Sequence, residues 1–84
     1  MPRRRLVFLT RPGCGLCDAA LPRVIKVARW LPVTVDVIDI SSDAGLESEY
    51  HLRIPVLLDR QGRVVAEGRI SMGRAVIGTV LGLR

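Results

Sequence analysis

Leu6-Val7-Phe8-Leu9-Thr10-Arg11-Pro12-Gly13-Cys14-Gly15-Leu16-Cys17 is the stretch that decides the fold. A short apolar run, Leu6–Thr10, has the length of a buried strand. Pro12 and Gly13 end it in a turn. Two thiols three positions apart then open a long helical pattern. They are the only cysteines in 84 residues, and their placement between a strand and a helix points to redox chemistry more than to structural stapling.

Downstream, Cys17, Ala20, Leu21, Val24, Val27, Ala28 and Leu31 fall at helical spacing, with Arg23, Lys26 and Arg29 on the other face. Pro22 lies inside this pattern and is expected to kink the helix, and Pro32 marks its end. Val33–Ile40 alternates and is rich in β-branched residues, so it is a predicted strand. Ser41-Ser42-Asp43 offers an N-cap for a weaker helix over Asp43–Leu52, in which Leu46 and Tyr50 form an i, i+4 pair. Ile54–Leu58, interrupted by Pro55, is the third strand. Asp59-Arg60-Gln61-Gly62 is a hairpin loop with Gly62 in a left-handed position, and Arg63–Glu67 is the returning strand. Ser71 caps a last helix over Met72–Leu81. The order is β-α-β-α-β-β-α, in a single domain over residues 1–84. The first two strands, joined by a helix, should be parallel, and the last two an antiparallel hairpin.

A chain this short buries only roughly 60–65% of its unfolded surface, so its core must be compact. With 49% hydrophobic residues it is too apolar for disorder. Twelve Arg and one Lys give a formal net charge of +5. The charges are spread along the chain except for Arg3-Arg4-Arg5, taken as a solvated lead-in to the first strand. Phe8, Trp30 and Tyr50 are too few for a base-stacking surface, which argues against a nucleic-acid partner. Trp30 and Tyr50 are expected to pack, and His51 to act as a helix-end cation. No segment has the length to span a membrane and no secretory signal is expected, so a cytoplasmic monomer is the expectation. Two cysteines and His51 fall short of a zinc ligand set, and no metal site is expected.

At a helix N-terminus, unpaired N–H groups and the helix dipole favour an anion. Cys14 occupies that place and is expected to be the exposed, acidic thiol, within the roughly 3.5–7.5 range of such motifs. Cys17, one turn later, faces the core. Cys14 is thus the predicted nucleophile and Cys17 the resolving thiol. Arg11, three residues before Cys14, is either a source of positive charge for the thiolate or a surface charge at the strand end. Asp18 is expected to point outward.

With Cys14-Gly15-Leu16-Cys17, Pro22, Tyr50, Arg53-Ile54-Pro55-Val56-Leu57 and the Asp59–Gly62 turn, the chain resembles the thioredoxin-like superfamily, and most closely its small glutaredoxin-like members. The resemblance covers nearly the whole chain. It implies an α/β fold with a four-stranded mixed sheet and helices on both faces, and a cis peptide bond before Pro55, lying against the dithiol. It further implies that Ile54 and Pro55 present backbone to a bound peptide or glutathione. The implied activity is thiol–disulfide exchange on protein disulfides or glutathione mixed disulfides, with no bound cofactor and glutathione as a candidate reductant.

Several residues depart from the family pattern. Gly15-Leu16 is neither the Pro-Tyr of typical glutaredoxins nor the Gly-Pro of typical thioredoxins. Gly68-Arg69 stands where glutaredoxins carry Gly-Gly. Arg11, Arg53 and Arg69 are candidate partners for a glutathione carboxylate, each with a surface-charge alternative. The rival from another class is a soft-metal carrier for copper or zinc, or an iron–sulfur carrier, using the same cysteines. The metal-carrier fold runs β-α-β-β-α-β, against which the helical ending and Ile54-Pro55 both argue.

Overall fold

The computed structural model describes residues 4–68. Its elements are β1 (Arg4–Thr10), α1 (Gly15–Trp30), β2 (Val33–Asp39), a short 3-10 turn (Ile40–Ser42), α2 (Ala44–Tyr50), β3 (Val56–Leu58) and β4 (Val64–Glu67). The strands form one sheet in the order β2-β1-β3-β4. β1 and β2 are parallel, while β1–β3 and β3–β4 are antiparallel. This is the thioredoxin-like α/β arrangement. A helix stands between β2 and β3, unlike the metal-carrier order. The predicted helix over Met72–Leu81 lies outside the described residues.

The central strands are apolar because both of their faces are covered. Leu6 and Phe8 of β1 pack with Leu57 of β3 and with Ala20 and Val24 of α1. Leu9, Val56 and Leu58 pack on the opposite side with Ile40, Leu46 and Tyr50. Successive residues point to opposite faces, so α1 and α2 take opposite sides of the sheet. The packing expected of Tyr50 is thereby met.

α1 continues as a helix through Pro22, which is exposed. Proline here lacks the N–H that would reach back to Asp18, itself on the solvent side, where water can satisfy the freed carbonyl. The helix stops at Leu31, which is extended (φ −124°, ψ 154°). Pro32 excludes the helical conformation at the residue before it. Trp30 corrects an expectation. It is 82% exposed instead of packed, because it lies off the Ala20–Val24–Ala28 stripe, on the same side as Lys26 and Arg29.

β1 starts two residues earlier than predicted, taking in Arg4 and Arg5 from the expected lead-in through their pairing with Val33 and Thr34, whereas several other elements are shorter. Ile40 leaves β2 for the 3-10 turn, Asp43 alone caps α2 by accepting the Leu46 N–H at 3.0 Å, and Ile54-Pro55 precede β3. The β3–β4 loop is the expected one. Gly62 has φ +81°, which a side chain would strain. Asp59 accepts the N–H groups of Gln61 and Arg63 at 2.9 and 3.0 Å. These bonds, chiefly that from Arg63, hold the Asp59 carboxyl below its usual range.

Candidate functional site: a dithiol and a cis-proline at one end of the sheet

The strand registers bring the site together. Thr10 pairs with Asp39, Leu9 with Val56, and Val56 with Glu67. The ends of β1, β2 and β4 and the start of β3 therefore share one end of the sheet. The Arg11–Cys14 turn leaves from this end, and Ile54-Pro55 enters at it.

Cys14 is the N-cap of α1. Its extended backbone (φ −97°, ψ 106°) places Sγ to accept the Cys17 N–H at 3.1 Å, and its carbonyl accepts the Asp18 N–H at 3.0 Å. Sulfur thus stands where a capping oxygen ordinarily would. Gly13 makes the approach possible with φ +81°. Cys17, on the inner face of α1, is 1% exposed, while Cys14 is half-buried, less open than the sequence suggested. The two are joined as a disulfide across a Cα–Cα distance of 5.2 Å, inside the roughly 4.4–6.8 Å such bonds span. Leu16 between them is 48% exposed, and Asp18 points outward as expected.

The Ile54-Pro55 bond is cis, as the resemblance implies, and Pro55 is buried. The surrounding backbone is tightly paired. Arg53 and Ile54 donate to the Tyr50 carbonyl at 2.8 and 3.1 Å, and Gly68 donates to the Pro55 carbonyl at 2.8 Å and to the Arg53 carbonyl at 3.2 Å. Gly68 is therefore a backbone tie between β4 and the cis-proline. Arg69 lies outside the described residues.

The two described candidate arginines, Arg11 and Arg53, carry carboxylates of their own. Arg11 Nη1 donates to Glu47 Oε1 at 2.9 Å. Arg53 grips Glu67 with two nitrogens, Nε at 2.9 Å and Nη2 at 3.4 Å, and reaches Glu49 with Nη1 at 3.1 Å. Its guanidinium also stands 5.0 Å from the centre of the Tyr50 ring. Hydrogen bonding from Arg53 holds the Glu67 carboxyl below its ordinary value. Asp39, at the end of β2, is likewise lowered, first by the Ser41 hydroxyl and to a smaller degree by the charge of Arg11. His51 caps α2, its Nδ1 lying 3.0 Å from the Glu47 carbonyl.

Glu47, Glu49 and Glu67 are neighbours of the site that the sequence reading passed over. Only Glu49 leaves a local signal, four residues before Arg53 on a helical spacing. Glu67 is brought to Arg53 by the β3–β4 pairing, and Glu47 to Arg11 across 36 positions. Among the described residues no three of His, Cys, Asp and Glu converge as a metal site. Among the same residues no helix is long and apolar enough to cross a membrane.

A half-accessible thiol capping a helix, with a buried partner one turn on, is the arrangement of a thiol redox protein, and the mixed sheet beneath it is thioredoxin-like. The chain belongs to the family described as Glutaredoxin-like domain (DUF836), whose pattern matches residues 5–75. Similar solved structures include a Nitrosomonas europaea protein (25% identity, 94% of this chain and 92% of that one, TM-score 0.78). A protein from X. campestris is 36% identical over 79% of this chain and 83% of its own, with a TM-score of 0.65. A mutant thioredoxin from Halobacterium salinarum shares the fold at 24% identity, over 93% of this chain and 74% of its own, with a TM-score of 0.60. A comparison with curated proteins finds no match.

Proposed function

We propose that the protein is a thiol–disulfide oxidoreductase in which Cys14 attacks and Cys17 resolves. The observation that carries this reading is the contrast between the two thiols. Cys14 accepts a backbone N–H at the start of α1 and is reachable from solvent, whereas Cys17 is sealed into the core. A helix N-terminus stabilises the thiolate, and accessibility decides which thiolate meets a substrate first.

In the reduced protein, the Cys14 thiolate attacks one sulfur of a substrate disulfide. A Cys14–substrate bond forms, the substrate's S–S bond breaks, and its first thiolate leaves. The Cys17 thiolate then attacks Cys14 Sγ, expelling the second substrate thiolate and leaving the Cys14–Cys17 disulfide. Two electrons pass from the dithiol to the substrate, and both departing thiolates take protons. Return to the dithiol needs two electrons from an external thiol reductant, of which glutathione is one candidate and a dithiol protein another. The protein works as a cytoplasmic monomer on a disulfide-bearing protein or a glutathione mixed disulfide, with Ile54-Pro55 and Gly68 forming the wall against which the substrate lies.

The test is an exchange assay on wild type, Cys14→Ser and Cys17→Ser. Cys14→Ser is expected to lose on the order of a thousandfold or more, since a hydroxyl is no substitute for a thiolate nucleophile. Cys17→Ser should stall as a mixed disulfide on Cys14, visible as an added mass. No exchange by wild type with any thiol reductant, together with tight stoichiometric metal on the two thiols, would replace this reading with metal carriage.

A further inference from the structure

Among the described residues, the two arginines at the site end of the sheet, Arg11 and Arg53, already hold carboxylates. Glu47 Oε1 takes Arg11, while Glu47 Oε2 is buried without a hydrogen-bond partner. The carboxylate is thus turned with one oxygen inward and the other on Arg11, which fixes its orientation toward that guanidinium. The pair itself stays partly open to solvent, with the Arg11 side chain 43% and the Glu47 side chain 36% exposed. Arg53, at the other wall, spends three nitrogens on Glu67 and Glu49. A substrate carboxylate arriving at either arginine competes with a carboxylate already in place. One ion pair is then traded for another, with little net gain.

We propose that Glu47 is a specificity-determining residue that withholds Arg11 from substrate carboxylates, so that the preferred substrates are protein disulfides without acidic flanks and not glutathione mixed disulfides. The inference rests on the oxidoreductase reading and narrows its substrate class. Glu47 acts through Arg11 and touches no reacting atom, so it is a positioning residue. Its signature is a change in substrate preference carried by KM.

The experiment uses one cysteine-containing peptide in two mixed disulfides, with glutathione and with 2-mercaptoethanol, which has no carboxylate. The readout is the ratio of kcat/KM for the two. Glu47→Gln should raise that ratio in favour of glutathione by about fivefold, the upper worth of an exposed ion pair, through KM. Glu47→Asp, which keeps the carboxylate, should stay near wild type. The charge-neutral double variant Arg11→Gln with Glu47→Gln should lie within about twofold of wild type, the scatter expected when no interaction with substrate has been lost. A fivefold fall in the double variant would mean Arg11 already serves the substrate and would overturn the proposal, even if Glu47→Gln alone fails to fold. An unchanged ratio in folded Glu47→Gln would overturn it too. Failure of wild type on both substrates would instead bring down the oxidoreductase reading, and the specificity role with it.

Discussion

Two segments meet at the site end of the sheet, and they are built in opposite ways. From Arg11 to Leu16 the chain is exposed at every position except half-buried Cys14, and Cys17 beneath it is the one buried anchor. From Arg53 to Val56 it is braced. Pro55 and Val56 are buried, the backbone is tied to Tyr50 and Gly68, and Arg53 is clamped by two carboxylates and a ring. The two segments divide the labour. Sulfur chemistry needs an accessible atom whose partner can change, so it sits on a turn held chiefly by a cap and a buried neighbour. A surface that a substrate lies against gains from rigidity, because little ordering remains to be done when it binds.

The largest expected difference comes from truncating Leu57, next to the braced segment, and Leu16, within the dithiol turn. Leu57 of β3 is fully buried against Phe8, Ala20 and Val24. Leu57→Ala is expected to cost about 2–5 kcal/mol by lost burial and a residual cavity. Leu16, 48% exposed within the dithiol loop, should tolerate the same substitution within about 0.5 kcal/mol. Urea unfolding of both variants checks this. Comparable losses would mean that the dithiol turn is part of the core and that the contrast is false.

Gly13→Ala comes next in size. At φ +81° an added Cβ meets no atom within 4 Å, so the cost is conformational and not steric crowding. About 1–2 kcal/mol is expected, or a shift on the order of 4–8 °C in Tm for each kcal/mol in a domain of this size. The exchange rate should fall in parallel, because the same turn delivers Cys14 to its cap. Stability lost with exchange kept would show that the cap does not depend on the turn.

Much of this contrast was legible from residue order. The run Leu6–Leu9, the helical spacing from Cys17 to Leu31 and the Asp59–Gly62 loop each follow from periodicity or turn chemistry, which are local. The dithiol's asymmetry followed too, since a helix start exposes its first position and turns the next inward one toward the core. The cis bond before Pro55 came from the family resemblance, as no local pattern distinguishes it from an edge-strand proline. What stayed hidden was long-range. Arg11 and Arg53 announce charge but not their partners, and Glu47 and Glu67 reach them only through strand order and register. Trp30 misled because hydrophobicity alone suggests burial, while its helical angle sets it among Lys26 and Arg29.

The smallest expected effect separates the two segments by their carboxylates. Glu67, on the braced side, lies below its ordinary 4.5 because Arg53 hydrogen-bonds its ionised form. A depressed carboxyl binds its proton less readily when folded. The brace therefore contributes in full above about pH 4.5, where the unfolded chain is also ionised. That contribution is lost as pH falls through the lower folded value. Arg53→Gln should move the Glu67 midpoint up toward 4.5, followed by carbon-detected NMR of the side-chain carboxyl. Asp39, beside the dithiol turn, is lowered from 3.8 first by its hydrogen bond from Ser41, with the charge of Arg11 the smallest of the causes. Ser41→Ala should therefore raise the Asp39 midpoint more than Arg11→Gln does. If Arg11→Gln moves Asp39 as far as Arg53→Gln moves Glu67, the turn is as firmly braced as the cis-proline wall. Arg11 would then be held by two acids, and its release would require more than the loss of Glu47.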